Sequence, residues 1–170
     1  MTVKELIKLI EQWAIDRQLD KYGTVEGQLI KTSEEVAELI IAISKDDVEA
    51  IKDAVGDVFV TLVVGNMLDS KLDVGAVYEL VVAESRMRVK RKFDLVYYLV
   101  SALKHLLYIE CYKRTTFDMV LECLLDVCSW YELDFTKCVE SAYSEIANRK
   151  GMVVGGSFVK EERVGFSVRN

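Results

Sequence analysis

The sequence predicts an all-α fold: an antiparallel helical bundle closed at its C-terminus by a short β-hairpin or extended tail. Three observations carry that expectation. The 170 residues contain no proline, where average usage of about 5% would give roughly 8, so the strongest helix breaker is missing. Apolar residues recur at helical spacing over most of the chain. The hydrophobic fraction is 51% and the charged fraction 29%, which supports one buried core and argues against disorder. The expected organisation is a helical domain over 1–150 and a hairpin or tail over 151–170.

Val3 to Arg17 reads as the first helix, with Leu6, Ile7, Ile10, Trp13 and Ala14 on one face. Asp20 to Gly27 is a polar connection. A second helix runs from about Gln28 to Ser44, and Asp46 or Asp47 caps a third that continues to about Leu68. Asp69 to Gly75 is the next connection. Val77 to Lys92 is helical in pattern and ends in the basic run Arg86, Arg88, Lys90, Arg91, Lys92. Leu95 to Tyr112 and Phe117 to Tyr131 are strongly apolar helices, and Phe135 to Lys150 is a final amphipathic one. Met152 to Val154, Gly155-Gly156 and Phe158 to Lys160 fit a hairpin with a glycine turn. Arg163 to Asn170 reads as a tail.

Charge and cysteine usage narrow the function classes. With 22 Lys+Arg against 28 Asp+Glu the net charge is −6, so the broad basic surface of a nucleic-acid binder is not expected. Cys111, Cys123, Cys128 and Cys138 form no C-x-x-C pair, and His105 is the only histidine; this is a poor zinc set. The thiols are expected reduced and mostly buried. Met1 leads directly into charged, helix-patterned sequence, and the apolar stretch Phe93 to Tyr112 is broken by Asp94, Lys104, His105 and Glu110. A cytoplasmic protein without membrane attachment is the expectation.

The chemistry-bearing residues fall on the second and third helices. Lys31, Glu35 and Glu38 share a face at three- and four-residue spacing, with Glu34 beside them. Alone, such a stripe is most often a solvated face. On the third helix, Ala54 to Val64 is apolar all round except for Asp57 and Thr61, as in a buried helix. Asp57 inside such a helix needs a cation, a donor or a proton, because an unpaired buried carboxylate costs several kcal/mol. Asp53 and Glu49 precede it at one-turn intervals, and Gly56 permits close approach of a backbone or a ligand. An antiparallel packing of the two helices brings Glu34, Glu35, Glu38, Asp53 and Asp57 together. An all-oxygen set of this kind suits Mg²⁺, or Mn²⁺, bridging to substrate phosphates; ordinary ion pairs with Lys31 and Lys52 are the simpler alternative. Asp118, Glu122 and Asp126, evenly spaced on another helix, read as a wet surface stripe. Trp13 reads as a core residue, with stacking on a nucleobase as the alternative.

Lys31, Glu34-Glu35-x-x-Glu38 and Asp53-x-x-x-Asp57 together resemble the motif of the MazG-like, all-α nucleoside triphosphate pyrophosphohydrolases. That family pattern is E-E-x-x-E followed, after a gap, by E-x-x-D. Asp57 takes the final Asp place, but the preceding Glu falls on Ala54, and Asp53 is the nearest substitute. The segments Lys52 to Val60, Glu145 to Gly151 and Phe158 to Glu161 look like the variant often encoded by bacteriophages, while residues 70–130 carry little resemblance. The resemblance implies a MazG-like bundle that hydrolyses a (deoxy)nucleoside triphosphate to the monophosphate and pyrophosphate with Mg²⁺. It implies metal ligation by Glu35, Glu38, Asp57 and Asp53, and activation of water by Glu34 or Glu35. It further implies phosphate contacts from Lys31, Arg149 and Lys150, sugar or base contact from Asn148, and association into dimers or tetramers in the cytoplasm, that of a bacterial host for a phage-encoded chain. A catalytically silent helical module that binds nucleotide or a partner, supported by Ala54, is the alternative, and a metal-binding structural bundle is a third reading.

Overall fold

The computed structural model describes residues 1–84, 88–108 and 111–161. They form eight helices and one hairpin: α1 (Val3–Asp16), α2 (Leu19–Tyr22), α3 (Val25–Lys45), α4 (Val48–Leu68), α5 (Val74–Glu84), α6 (Lys92–Tyr108), α7 (Arg114–Trp130), α8 (Phe135–Ala147), β1 (Gly151–Val154) and β2 (Ser157–Lys160). Arg86 and the tail Arg163 to Asn170 lie outside the described residues.

Polar caps set the helix starts. Thr2 and Glu5 form a reciprocal capping box on α1, Thr24 accepts from the Gly27 amide at the start of α3, Asp47 accepts from Ala50 N on α4, and Asp134 accepts from Lys137 N on α8. Each satisfies an amide that the helix itself leaves open. Because Thr24 is the cap, α3 begins three residues before the expected start, and Gln28 is its fourth residue rather than its first. Asp46 takes a left-handed conformation (φ 53°), and the chain reverses there, so α3 and α4 run antiparallel.

α4 is the central element. It packs against α3, α8, α1 and α7, and residues Val58 to Asn66 are all buried, as expected of a helix apolar on every side. Gly56 faces α8. A Cβ there would fall within contact distance of the Cys138 carbonyl oxygen and 2.7 Å from Ala142 Cβ, so the close approach at this glycine is by another backbone. At Gly65 a Cβ would overlap the ring of Tyr112. The Tyr112 hydroxyl is 2.8 Å from Thr32 Oγ1, tying the residues before α7 back to α3.

The second half departs from expectation in two places. Of the helix expected over Val77 to Lys92, α5 is described as far as Glu84, residues 85–87 lie outside the described residues, and α6 starts at Lys92, where Asp94 accepts from the Lys90 and Arg91 amides. Residues 88–91 of the basic run are not helical. Its Arg88 folds onto α7, donating to Asp126 Oδ2 at 3.0 Å and to Glu122 Oε2 at 2.5 Å, with its guanidinium over the Tyr98 ring. Asp126 is only 3% exposed. The presumed wet stripe is thus turned inward at Asp126, because an arginine from outside the helix neutralises it. Removing that arginine strands a buried charge; Arg88→Ala is expected to lower unfolding free energy by about 2 kcal/mol or more, read by chemical denaturation.

No helix of the described residues is long and apolar enough to cross a membrane. The described cysteines are all unpaired, three of them buried. β1 and β2 pair antiparallel with Val154 opposite Ser157, and Gly155 and Gly156 both take positive φ in the turn. The hairpin lies against α2 and α3, where the Gly156 carbonyl accepts from the Thr24 amide.

Candidate functional site

A cleft of about 520 Å³ opens between α3, α4, the C-terminal end of α8 and the hairpin, a volume typical of small-molecule sites. Along α3 its lining residues are Gln28, Lys31, Glu34, Glu35 and Glu38, about three turns of one face. α4 contributes Asp57, Val60, Thr61 and Val64, and α8 with the residues after it contributes Glu145, Ile146 and Arg149. Ser157 to Lys160 of β2, Trp13 and Leu19 complete it.

The acidic part is a charge cluster under strain. Glu35 is 6% exposed and is neutralised by Lys31, whose Nζ stands 2.6 Å from Glu35 Oε1 and 2.9 Å from Glu34 Oε2. Burial pulls the Lys31 pKa down, but the hydrogen bonds and charges of Glu35 and Glu34 outweigh it and leave the ammonium more basic than usual. Asp57 makes no hydrogen bond or ion pair among the described residues. Its pKa is pushed up to about 7, first by burial, then by the charges of Glu35 and Glu145, with Arg149 and Lys31 pulling partly back. Arg149 pairs with Glu145 at 3.5 Å.

The other wall is aromatic. Trp13 Nε1 donates to the Ile146 carbonyl at 2.8 Å, and the Trp13 ring meets Phe158 edge to face at 5.2 Å. Arg17 lies over both rings and donates to the carbonyls of Ala147 and Arg149. Those acceptors are the open carbonyls at and just beyond the end of α8, so one side chain caps α8 and fixes the backbone that carries Arg149.

The residues expected from sequence divide accordingly. Lys31, Glu34, Glu35, Glu38, Asp57, Trp13 and Arg149 line one cleft. Asp53, expected beside Asp57, is exposed and outside it: four residues rotate about 40° beyond a full turn of a 3.6-residue helix, enough to turn it past the edge of the α3–α4 contact. Asn148 and Lys150 also lie outside the cleft lining, because α8 ends at Ala147 and only Arg149 is turned inward. Gln28, Thr61, Glu145 and Phe158 belong to the site without having been assigned a part in it. Gln28 lies seven residues before Glu35, and Glu145 lies one turn before Arg149, so helical spacing carried a signal for both.

The donor chemistry fits a hard divalent cation: Glu35, Glu38, Asp57 and Glu145 are oxygen donors, and the like-charge pressure on Asp57 is what such an ion relieves. In this arrangement Lys31 supplies the positive charge instead, and among the described residues no three ligating side chains are grouped to hold an ion.

Comparison with known proteins is sparse. No family model matches the sequence, and no solved structure matches it. Over 74 residues the chain is 43% identical to an uncharacterized 18.2 kDa protein of the rep-hol intergenic region of Haemophilus phage HP1 (strain HP1c1), a stretch covering 42% of this chain and 45% of that protein. The chain thus spans about half the length of the curated relative it matches.

Proposed function

We propose that this chain hydrolyses a nucleoside triphosphate to the monophosphate and pyrophosphate in the manner of the MazG-like enzymes. The observation that supports this reading best is the convergence of carboxylates from α3 and α8 on Asp57 of α4, with Lys31 and Arg149 beside them, in a cleft that also has an aromatic wall. A divalent cation, Mg²⁺ or Mn²⁺, would be held by Glu35, Glu38 and Asp57 with Glu145 at hand once Lys31 gives up Glu35, and it would supply charge neutralisation for the polyphosphate. In the reaction, water attacks the α-phosphorus and the bond from that phosphorus to the bridging oxygen breaks. Pyrophosphate leaves with the bonding electrons. Glu34, at the wetter edge of the cleft, takes the proton of the attacking water, and Lys31 and Arg149 hold phosphate oxygens. Lys31 leaves Glu35 as it does so, exchanging a carboxylate partner for a phosphate one.

The same reading includes work in a cytoplasm and self-association, for which the outward face of α6 offers Phe93, Tyr97, Val100, Leu107 and Tyr108, all exposed. A silent nucleotide-binding module is the second reading, favoured by the Lys31–Glu35 pair and by Ala54 in the family's glutamate place. A panel of ribo- and deoxyribonucleoside triphosphates, assayed with Mg²⁺ and with Mn²⁺ for both products, separates the two. Equal amounts of pyrophosphate and monophosphate, abolished by EDTA, are expected. Binding of a nucleotide without release of pyrophosphate from any of the panel makes the second reading the correct one.

A further inference from the structure

The cleft has two chemically different ends, and the register of α3 against α4 decides what falls at each. Asp57 is level with Glu35, whose charge reaches it. One turn further along α4, the Thr61 carbonyl accepts a 3.1 Å hydrogen bond from Gln28 Nε2, two turns from Glu35 toward the start of α3. Leu19, Val64 and Phe158 wall this end in place of carboxylates, and the hairpin is fastened beside it through the Thr24–Gly156 hydrogen bond.

Gln28 is 4% exposed. Its amide nitrogen is anchored on Thr61, whereas its Oε1 has no partner among the described residues, and the side chain lines the cleft. Turning the amide over would set its oxygen against the Thr61 carbonyl, so the orientation is fixed by the anchor. The Thr61 hydroxyl has spent its proton on the Val58 carbonyl and is left as a second acceptor. The Gln28 oxygen is open to the cleft rather than sealed in, and a ligand that displaces water from it must bring a donor or leave the acceptor unsatisfied.

We infer that Gln28 is a specificity-determining residue, its Oε1 accepting a hydrogen bond from the ring N–H or exocyclic amino group of a nucleobase seated between Phe158 and Val64; this rests on the nucleotide reading above. A site built around a buried hydrogen-bonding group discriminates strongly against a ligand that lacks the matching group. The anchor on Thr61 then ties the choice of base to α4, the helix that carries Asp57.

Equilibrium binding of dATP, dCTP, dGTP, dTTP and inorganic tripolyphosphate, with Ca²⁺ as the divalent ion, tests this on the whole protein. Gln28→Met keeps the shape and removes the acceptor. It is expected to weaken the preferred nucleotide about tenfold, the equivalent of one hydrogen bond, to flatten the order among the four bases, and to leave tripolyphosphate within twofold. On the ligand side, methylating the donor nitrogen (N3-methyl-dTTP, or N4,N4-dimethyl-dCTP) is expected to cost the wild type as much, which holds even where the variant folds poorly. Equal loss for nucleotide and tripolyphosphate, or undiminished binding of the methylated nucleotide, overturns the inference and leaves the hydrolase reading intact. Failure of the wild type to bind any of the five ligands overturns both.

Discussion

Replacing Asp57 by asparagine is expected to lower turnover on the order of 10³-fold, roughly 4 kcal/mol of transition-state stabilisation, while the helices stay in place. The same substitution is expected to raise thermal stability. In the unfolded chain an aspartate titrates near 3.9; in the fold Asp57 titrates at about 7. The folded state therefore holds the proton more tightly, and the contribution of this group to stability is full below about pH 4 and lost as pH rises through about 7. At pH 8, in metal-free buffer, the wild type carries an uncompensated charge that Asp57→Asn lacks. Allowing for partial access of water, the difference is on the order of 2 kcal/mol, or about 5 °C in melting temperature. Divalent ions should stabilise the wild type at pH 8 and leave the asparagine variant unmoved. Calorimetry at pH 5 and pH 8, with and without Mg²⁺, reads all of this, and a variant that still turns over removes Asp57 from the reaction.

A second large effect is expected one residue earlier. Gly56→Ala puts a methyl group against the Cys138 carbonyl oxygen, with Ala142 Cβ at 2.7 Å. The obstruction is backbone, so no rotamer change relieves it and α8 must move off α4. A loss of about 3 kcal/mol is expected, together with weaker substrate binding, because α8 brings Glu145 and the backbone of Arg149 to the cleft. Gly75→Ala is the control. Its nearest neighbour would be the flexible Lys4 side chain at 3.2 Å, and urea unfolding should find it within about 0.5 kcal/mol of wild type.

Local pattern carried the bundle, the α3–α4 reversal and the glycine-turned hairpin, because each is written in short-range periodicity, caps and turn residues. Asp57 could be picked out since a carboxylate in an all-apolar helix has few explanations. Asp126 could not, for its compensating charge is Arg88, which reaches it from a segment read as part of a helix. Asp53 shows the limit of spacing arguments: an offset of about 40° per four residues accumulates until the edge of a contact decides whether a residue faces in or out. Spacing puts Glu145 on the same helix face as Arg149, but only the long-range packing of α8 on α4 brings that face to Asp57. Gln28 stands at the start of the expected helix, but its anchor on the Thr61 carbonyl of α4 is a long-range contact that spacing alone does not give.

Two strands of four residues do not hold together alone in water. The hairpin therefore owes its order to what it rests on: the start of α3, the Trp13 ring and the guanidinium of Arg17. Such a roof opens at a lower free energy than the bundle beneath it, and its amides should exchange with deuterium well before those of α4. Because Ser157 to Lys160 line the pocket, loosening of this flap would widen that end while the helices that carry the carboxylates stay in place.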